Sequence, residues 1–229
     1  MSVLNDDRIT EDSAGAPPAP PSRGLRLTLI AIIAIAVLVV AGVGGWLLRG
    51  GSGTSTPSAN SVDAGFAQDM ITHHIQAVTM AGVERDGTAN KELHSLAFDI
   101  ETGQNFQVGQ MSGWLDDWNV SRNSANPMAW MGHSHMAMGA NRLMPGMATS
   151  TQMDQLLRPT GTARDILFLQ LMIHHHQGGI PMAQYARTHA AEGYVRDLAQ
   201  SMINSQSSEL LYMEQLLRGL GGHPLPPPT

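Results

Sequence analysis

Two stretches of this chain place the same chemistry at the same spacing. DMITHHIQAVTMA runs from Asp69 to Ala81, and LMIHHHQGGIPMA runs from Leu171 to Ala183. In each, Met-Ile precedes a pair of adjacent histidines, and Met-Ala stands six residues beyond the second histidine. Imidazole nitrogen binds copper and zinc, and thioether sulfur is a soft donor suited to Cu(I). His73, His74, His175 and His176 are therefore candidate imidazole ligands, with Met70, Met80, Met172 and Met182 as candidate thioether ligands. The competing reading is duplicated packing. Methionine on an apolar helix face is ordinary core filler, and the histidines could be structural, hydrogen-bonded to Asp63 and Asp165. Burying an imidazole costs free energy unless it finds a partner, whereas leucine would fill the same space at no such cost.

A second metal-like stretch lies between the two. MAWMGHSHMAMGANRLMPGM, from Met128 to Met147, holds six Met and two His in twenty residues. Gly, Asn and Pro punctuate it too often for a long helix. His133, His135, Met144 and Met147 are candidate ligands of a loop that captures a soft metal. The alternative is a lid folded over one end of the domain.

Composition narrows the chemistry. The chain has 229 residues and no Cys. Disulfides, thiolate catalysis and Cys-ligated zinc or iron–sulfur centres are thereby excluded. Fifteen Met and ten His remain alongside Asp and Glu as side-chain ligands. A formal net charge of −6, with Lys and Arg scattered, leaves no basic stripe for nucleic acid.

The elements that must position these residues repeat. At an offset of 102, Asp63, Phe66, Gln68, Met70, Ile71, His73, His74, Met80 and Ala81 match Asp165, Phe168, Gln170, Met172, Ile173, His175, His176, Met182 and Ala183. Leu96, Ala97, Gln104, Met111 and Leu115 match Leu198, Ala199, Gln206, Met213 and Leu217 without a register shift. This is an internal duplication, with repeats at 61–119 and 162–219 and a connection at 120–161. Each repeat predicts two helices. Ser61 caps the first, to about Asp86, and the second runs from about Ala89 to Asn119. Thr162 caps the third, to about Ala191, Gly193 ends it, and the fourth runs to about Gly219. Thr149 caps a short helix before the second repeat. At about 100° per residue, Asp63, Phe66, Met70, His73, His74, Ala77, Met80 and Ala81 share one arc of about 120°. His174 points off that arc. Two hairpins that each bury a single stripe predict an all-α fold, a four-helix bundle over residues 61–219. Gly103, Gly109 and Gly113 weaken the second helix, in exchange for close approach of a neighbouring one.

Upstream, residues 1–24 are Pro-rich and polar, and predict disorder. The uncharged run from Leu27 to Leu48 would span about 33 Å as a helix, enough for a bilayer core of ~30 Å. It predicts a transmembrane anchor over residues 25–48, followed by a flexible tether at 49–60. Arg23 and Arg26 ahead of it place the N-terminus in the cytoplasm and the rest outside, as a single-pass membrane protein. A cleaved signal peptide is the alternative, with Ala41 to Gly44 as its small-residue feature. Residues 220–229, with four Pro, predict an unstructured tail.

The doubled Asp-x-x-Phe-x-x-x-Met-Ile-x-His-His-x-x-x-x-x-Met-Ala, the Met144-Pro145-Gly146-Met147 stretch and the Gln…Met…Leu ending of each half resemble the family catalogued as domain of unknown function 305. The resemblance covers about residues 61–219. It implies a ferritin-like four-helix fold, secretion or membrane tethering, and copper binding in some members, but no established reaction. This chain departs from exact repetition at Gln107 against Glu209, at the extra His174, and at Gly178-Gly179 with Pro181, which predicts a kinked third helix.

The combined expectation is a membrane-anchored extracytoplasmic protein that buffers, stores or hands on copper, Cu(I) favoured, with a membrane-protein or copper-protein partner. Binding would weaken as pH falls toward the ordinary histidine pKa of ~6.5. A copper-dependent redox enzyme and an accessory structural subunit without essential metal are the alternatives. Ferritin-type di-iron chemistry requires Glu-x-x-His on two helices, and the chain contains none.

Overall fold

The computed structural model describes residues 56–132 and 142–228. The expected anchor at 25–48, the disordered segment at 1–24 and the loop histidines His133 and His135 lie outside the described residues. Among the described residues there are five α-helices and no strand, and no helix is long and apolar enough to cross a membrane. The helices are α1 (Val62–Gly87), α2 (Lys91–Asp117), α3 (Ser150–Leu156), α4 (Thr162–His189) and α5 (Gly193–Gly219), with a 3-10 turn at Ala129–Met131.

Local signals set the helix ends. The Ser61 hydroxyl accepts from Ala64 N, and the Asn90 side chain accepts from the amides of Glu92 and Leu93. Thr149 and Gln152 form a reciprocal capping box at the start of α3. The expected cap at Thr162 is displaced: Thr162 is the first helical residue, and Gly161, at φ +59°, precedes it with no side-chain cap. Likewise Gly193 does not end α4, which stops at His189; it opens α5. Both long hairpins close alike. Asn119 and Gly221 take left-handed backbone, and the amides of Val120 and Gly222 donate to Leu115 O and Leu217 O at 2.8 and 2.9 Å.

α1 packs against α2 and α4 against α5, and the two hairpins meet through α1 and α4. The duplication persists in the bonds. Gln68 Nε2 donates to Ser121 O at 2.6 Å, and Gln170 Nε2 donates to His223 O at 2.7 Å. The tail expected to be unstructured is thus tied at His223, and Leu225 packs on the core. Asp63 and Asp165 do not reach the histidines. Asp63 accepts from the amides of Ala191 and Glu192 ahead of α5, and Asp165 accepts from the Thr88 hydroxyl ahead of α2. Each buried carboxylate fastens its helix to the turn of the other hairpin.

The core forms two apolar clusters. One takes Phe66, Met70, Met111, Leu115, Met182, Ala186 and Met202. The other takes Met80, Leu93, Ile100, Phe168, Met172, Met213 and Leu217. Along α1 the boundary falls between Ile71 and Ala77, and along α4 between Ile173 and Met182. Those gaps contain the four motif histidines. The connection between repeats folds onto the first cluster: Met128, Met131 and Met144 are buried there, and Met147 packs against it. Buried Asp69 holds this segment, accepting from Met128 N at 2.6 Å and Trp130 Nε1 at 2.8 Å.

The glycines of α2 are not contact glycines, contrary to the sequence expectation. A Cβ at Gly103, Gly109 or Gly113 would meet nothing within 4 Å. Close approach occurs instead at Gly65, where a Cβ would lie 2.5 Å from the Trp130 ring, and at Gly178.

Glu84, fully buried near the end of α1, faces Asp165, and burial followed by that neighbouring carboxylate pushes its pKa up from 4.5 to about 8. The folded chain therefore keeps a proton that the unfolded chain releases above pH 4.5. The associated stability is complete below pH 4.5 and declines as pH rises to about 8. Glu84→Gln should melt like the parent near pH 4.5 and be more stable by about 2 kcal/mol at pH 8; equal melting temperatures at pH 8 would contradict this placement.

Candidate metal centre

The arc that buries α1 carries His73 and His74 to the middle of the domain, and the same arc of α4 brings His175 and His176 opposite them. All four are 0–1% exposed. The His73 and His175 rings lie face against face, with centroids 3.7 Å apart and planes tilted by 37°. Gln206 of α5 reaches the same space beside Gly179 as the His73 ring, and Gln104 is buried at the equivalent position of α2.

Each imidazole is held by one nitrogen only. His74 Nε2 donates to Gln107 Oε1 at 2.7 Å, and at the equivalent position His176 Nε2 donates to Glu209 Oε2, also at 2.7 Å. His73 Nε2 donates to the Pro145 carbonyl at 3.1 Å, and His175 Nε2 to the His73 carbonyl at 3.0 Å. Every partner is an acceptor oxygen, so Nε2 carries the proton in all four rings and Nδ1 keeps its lone pair. The four Nδ1 atoms are buried with no hydrogen-bond partner, as are both amide atoms of Gln104. A metal-binding histidine has this arrangement: one nitrogen donates to an oxygen, and the other is left to the ion.

Three of the rings are kept neutral by their surroundings. Burial, opposed in part by the Pro145 bond, pushes the His73 pKa down to about 4. Burial and the His73 ring push His74 down to about 3, and burial with three neighbouring imidazoles holds His175 well below its ordinary range. The ordinary value near 6.5 is thus not the one at which these three rings take up protons.

The connection between repeats supplies part of the site, which sequence spacing alone did not reveal. Residues 144–148 cross α4 as a strap. The Gln76 side chain donates to Ala148 O at 2.9 Å and accepts from Ala148 N at 2.7 Å, while the Gly146 carbonyl accepts from His174 Nδ1 at 3.2 Å. His174 is therefore half-buried under the strap and does not join the layer. A Cβ at Gly178 would stand 2.0 Å from Pro145 O, so glycine is what permits the strap to lie against α4. Its neighbour Gly179 leaves a cradle: a Cβ there would come within 3.1 Å of Gln206 Oε1 and His73 Cε1, and 3.5 Å of His73 Nδ1. The Pro-Gly pair and the Gly-Gly pair were the available signals, but neither states what it approaches. α4 remains one helix through Pro181.

The methionines divide. Met70 and Met182 share one apolar cluster and Met80 and Met172 the other, on opposite sides of the histidine layer. Met144 is buried in the first cluster and Met147 packs against it. Among the described residues no three His, Asp or Glu side chains are arranged to hold a single ion.

Two measurements check this geometry. Because burial favours the neutral rings, the stability that His73 and His74 contribute to the metal-free chain should be complete above pH 6.5 and be lost as pH falls toward 4. A ring such as His73 should account for up to about 3 kcal/mol of that loss. His74→Leu should shallow the acid slope, read as melting temperature against pH. Gly178→Ala should cost about 1–3 kcal/mol by overpacking and release His73 Nε2 from Pro145, visible as a changed imidazole nitrogen NMR shift.

Comparison with known proteins agrees with this architecture. The family model described as Domain of unknown function (DUF305) matches residues 63–217. A DUF305 protein from Streptomyces coelicolor is 40% identical with a TM-score of 0.68, over 74% of this chain and 99% of that one. A DUF305 fragment from Deinococcus radiodurans is 28% identical with a TM-score of 0.59, over 71% and 98%. CopM in the Cu(II)-bound form is 26% identical with a TM-score of 0.53, over 69% and 97%, and CopM is also known in a Cu(I)-bound form. No curated protein matches the chain. The doubled His-His motif, the paired helical hairpins and the matched span together make this chain a member of the DUF305 family.

Proposed function

We propose that the domain binds copper, Cu(I) in preference to Cu(II), and buffers it or passes it on outside the cytoplasmic membrane. The observation that carries this reading is the set of four buried imidazoles with oriented Nε2–H groups and unpartnered Nδ1 lone pairs. A purely structural layer would leave those four atoms uncompensated, at about 1–3 kcal/mol each. The Nδ1 atoms of His73, His74, His175 and His176 would be the nitrogen donors, with no more than two imidazoles on any one ion. Met70 and Met182 on one side of the layer, and Met80 and Met172 on the other, would supply soft sulfur. Copper bound to CopM, which shares the fold, supports the choice of metal.

In this reading the protein's residues do three things. Gln107, Glu209 and the Pro145 carbonyl fix the ring tautomer; the apolar clusters exclude water; and burial keeps His73, His74 and His175 unprotonated. Copper, when bound, would satisfy the open lone pairs. Release to a membrane-protein or copper-protein partner would draw on the Met128–Met147 connection, including His133, His135, Met144 and Met147. The uncharged Leu27–Leu48 run would anchor the chain, with its N-terminus in the cytoplasm and the domain outside.

The test is Cu(I) titration of the full chain against a competing chelator. Changing His73, His74, His175 and His176 together to Ala should remove the tight binding; unchanged stoichiometry and affinity would refute copper binding by this layer.

A further inference from the structure

The two halves of the histidine layer carry the same hydrogen bond with different charge. At equal registers and equal 2.7 Å distances, His74 Nε2 meets the amide oxygen of Gln107 and His176 Nε2 meets the carboxylate of Glu209. Resting on the copper-binding reading above, we infer that Glu209 makes the halves unequal, so that the ion is held more tightly by His175 and His176 than by His73 and His74.

The physical reason is charge compensation. A cation entering a buried layer of imidazoles and apolar side chains needs a counter-charge nearby. The His176 hydrogen bond brings a carboxylate to the layer on the α4 side, and Gln107 offers none on the α1 side. A carboxylate bonded to the far nitrogen also raises the electron density that the imidazole offers to a metal. The Glu209 side chain is 26% exposed, at the edge of an open groove of about 660 Å³ between α2 and α5. It therefore joins a buried imidazole to solvent. Glu209 is a positioning residue: it acts on the ion through His176 and is not itself a proposed ligand.

Gln107 shows that an amide sustains the same bond, so Glu209→Gln removes the charge while keeping the hydrogen bond. Cu(I) affinity of the full chain, by chelator competition, is compared among the parent, Glu209→Gln and Gln107→Glu. Glu209→Gln should weaken the tightest binding about 10- to 100-fold, with little change in melting temperature. Gln107→Glu should strengthen binding at the α1 half. In the double exchange the preference should move to His73 and His74, so that changing this pair to Ala then costs more affinity than changing His175 and His176. Parent-like affinity in Glu209→Gln would overturn the inference while leaving copper binding intact. Failure of the parent chain to bind Cu(I) would instead remove the underlying reading. A large loss in Glu209→Gln with no gain in Gln107→Glu would also overturn it, assigning Glu209 a structural role alone.

Discussion

Four imidazoles buried between two apolar clusters impose the main constraint on this molecule. In a low-dielectric interior a ring cannot easily be charged, and it cannot be left with its N–H unbonded. Each Nε2 must therefore meet an oxygen, and four different elements provide one: an amide on α2, a carboxylate on α5, a helix carbonyl on α1 and the strap carbonyl of Pro145. Satisfying the strap bond requires a close crossing, and that crossing requires Gly178. The glycine, the Pro-Gly turn and the Gln76 clamp on Ala148 are all consequences of holding one ring.

Having met that requirement at Nε2, the fold leaves Nδ1 open in every ring. Hydrogen-bonded structural histidines would be expected to use both nitrogens wherever the neighbourhood allows. Here the neighbourhood is apolar on either side, with methionine sulfur the principal donor type within the flanking clusters. The same pattern of residues thus gives a well-packed core and four buried imidazoles with one nitrogen each left open.

The duplication explains both the symmetry of the layer and its departures. Equivalent bonds recur at Gln68 and Gln170, at the two hairpin ends, and at Gln107 and Glu209. The breaks are local. The strap visits only one side; Gly179 stands where the first repeat has Ala77; Glu84 stands where the second has Ala186. The strap and Gly179 change space beside the histidine layer, and Glu84 changes charge near the end of α1 against Asp165, while the backbone frame is otherwise shared.

Helix type, the caps at Ser61 and Thr149, the inward arc and the 102-residue register were legible because they depend on periodicity and on neighbours within a few residues. The same register made the four histidines stand out. The sequence could not say which atom each histidine leaves free, because that depends on oxygens contributed from 33 to 102 residues away. It misassigned Gly103, Gly109 and Gly113, since a glycine's value lies in what approaches it and not in its own chain. Its alternative of Asp63 and Asp165 as structural partners of the histidines fails because the meeting of α1 and α4 carries each of them to the turn of the other hairpin. Composition and period determined a duplicated helical domain with a buried His layer; only tertiary packing decided the tautomers, the strap and the charge at each half, because those are contacts between segments that no local pattern encodes.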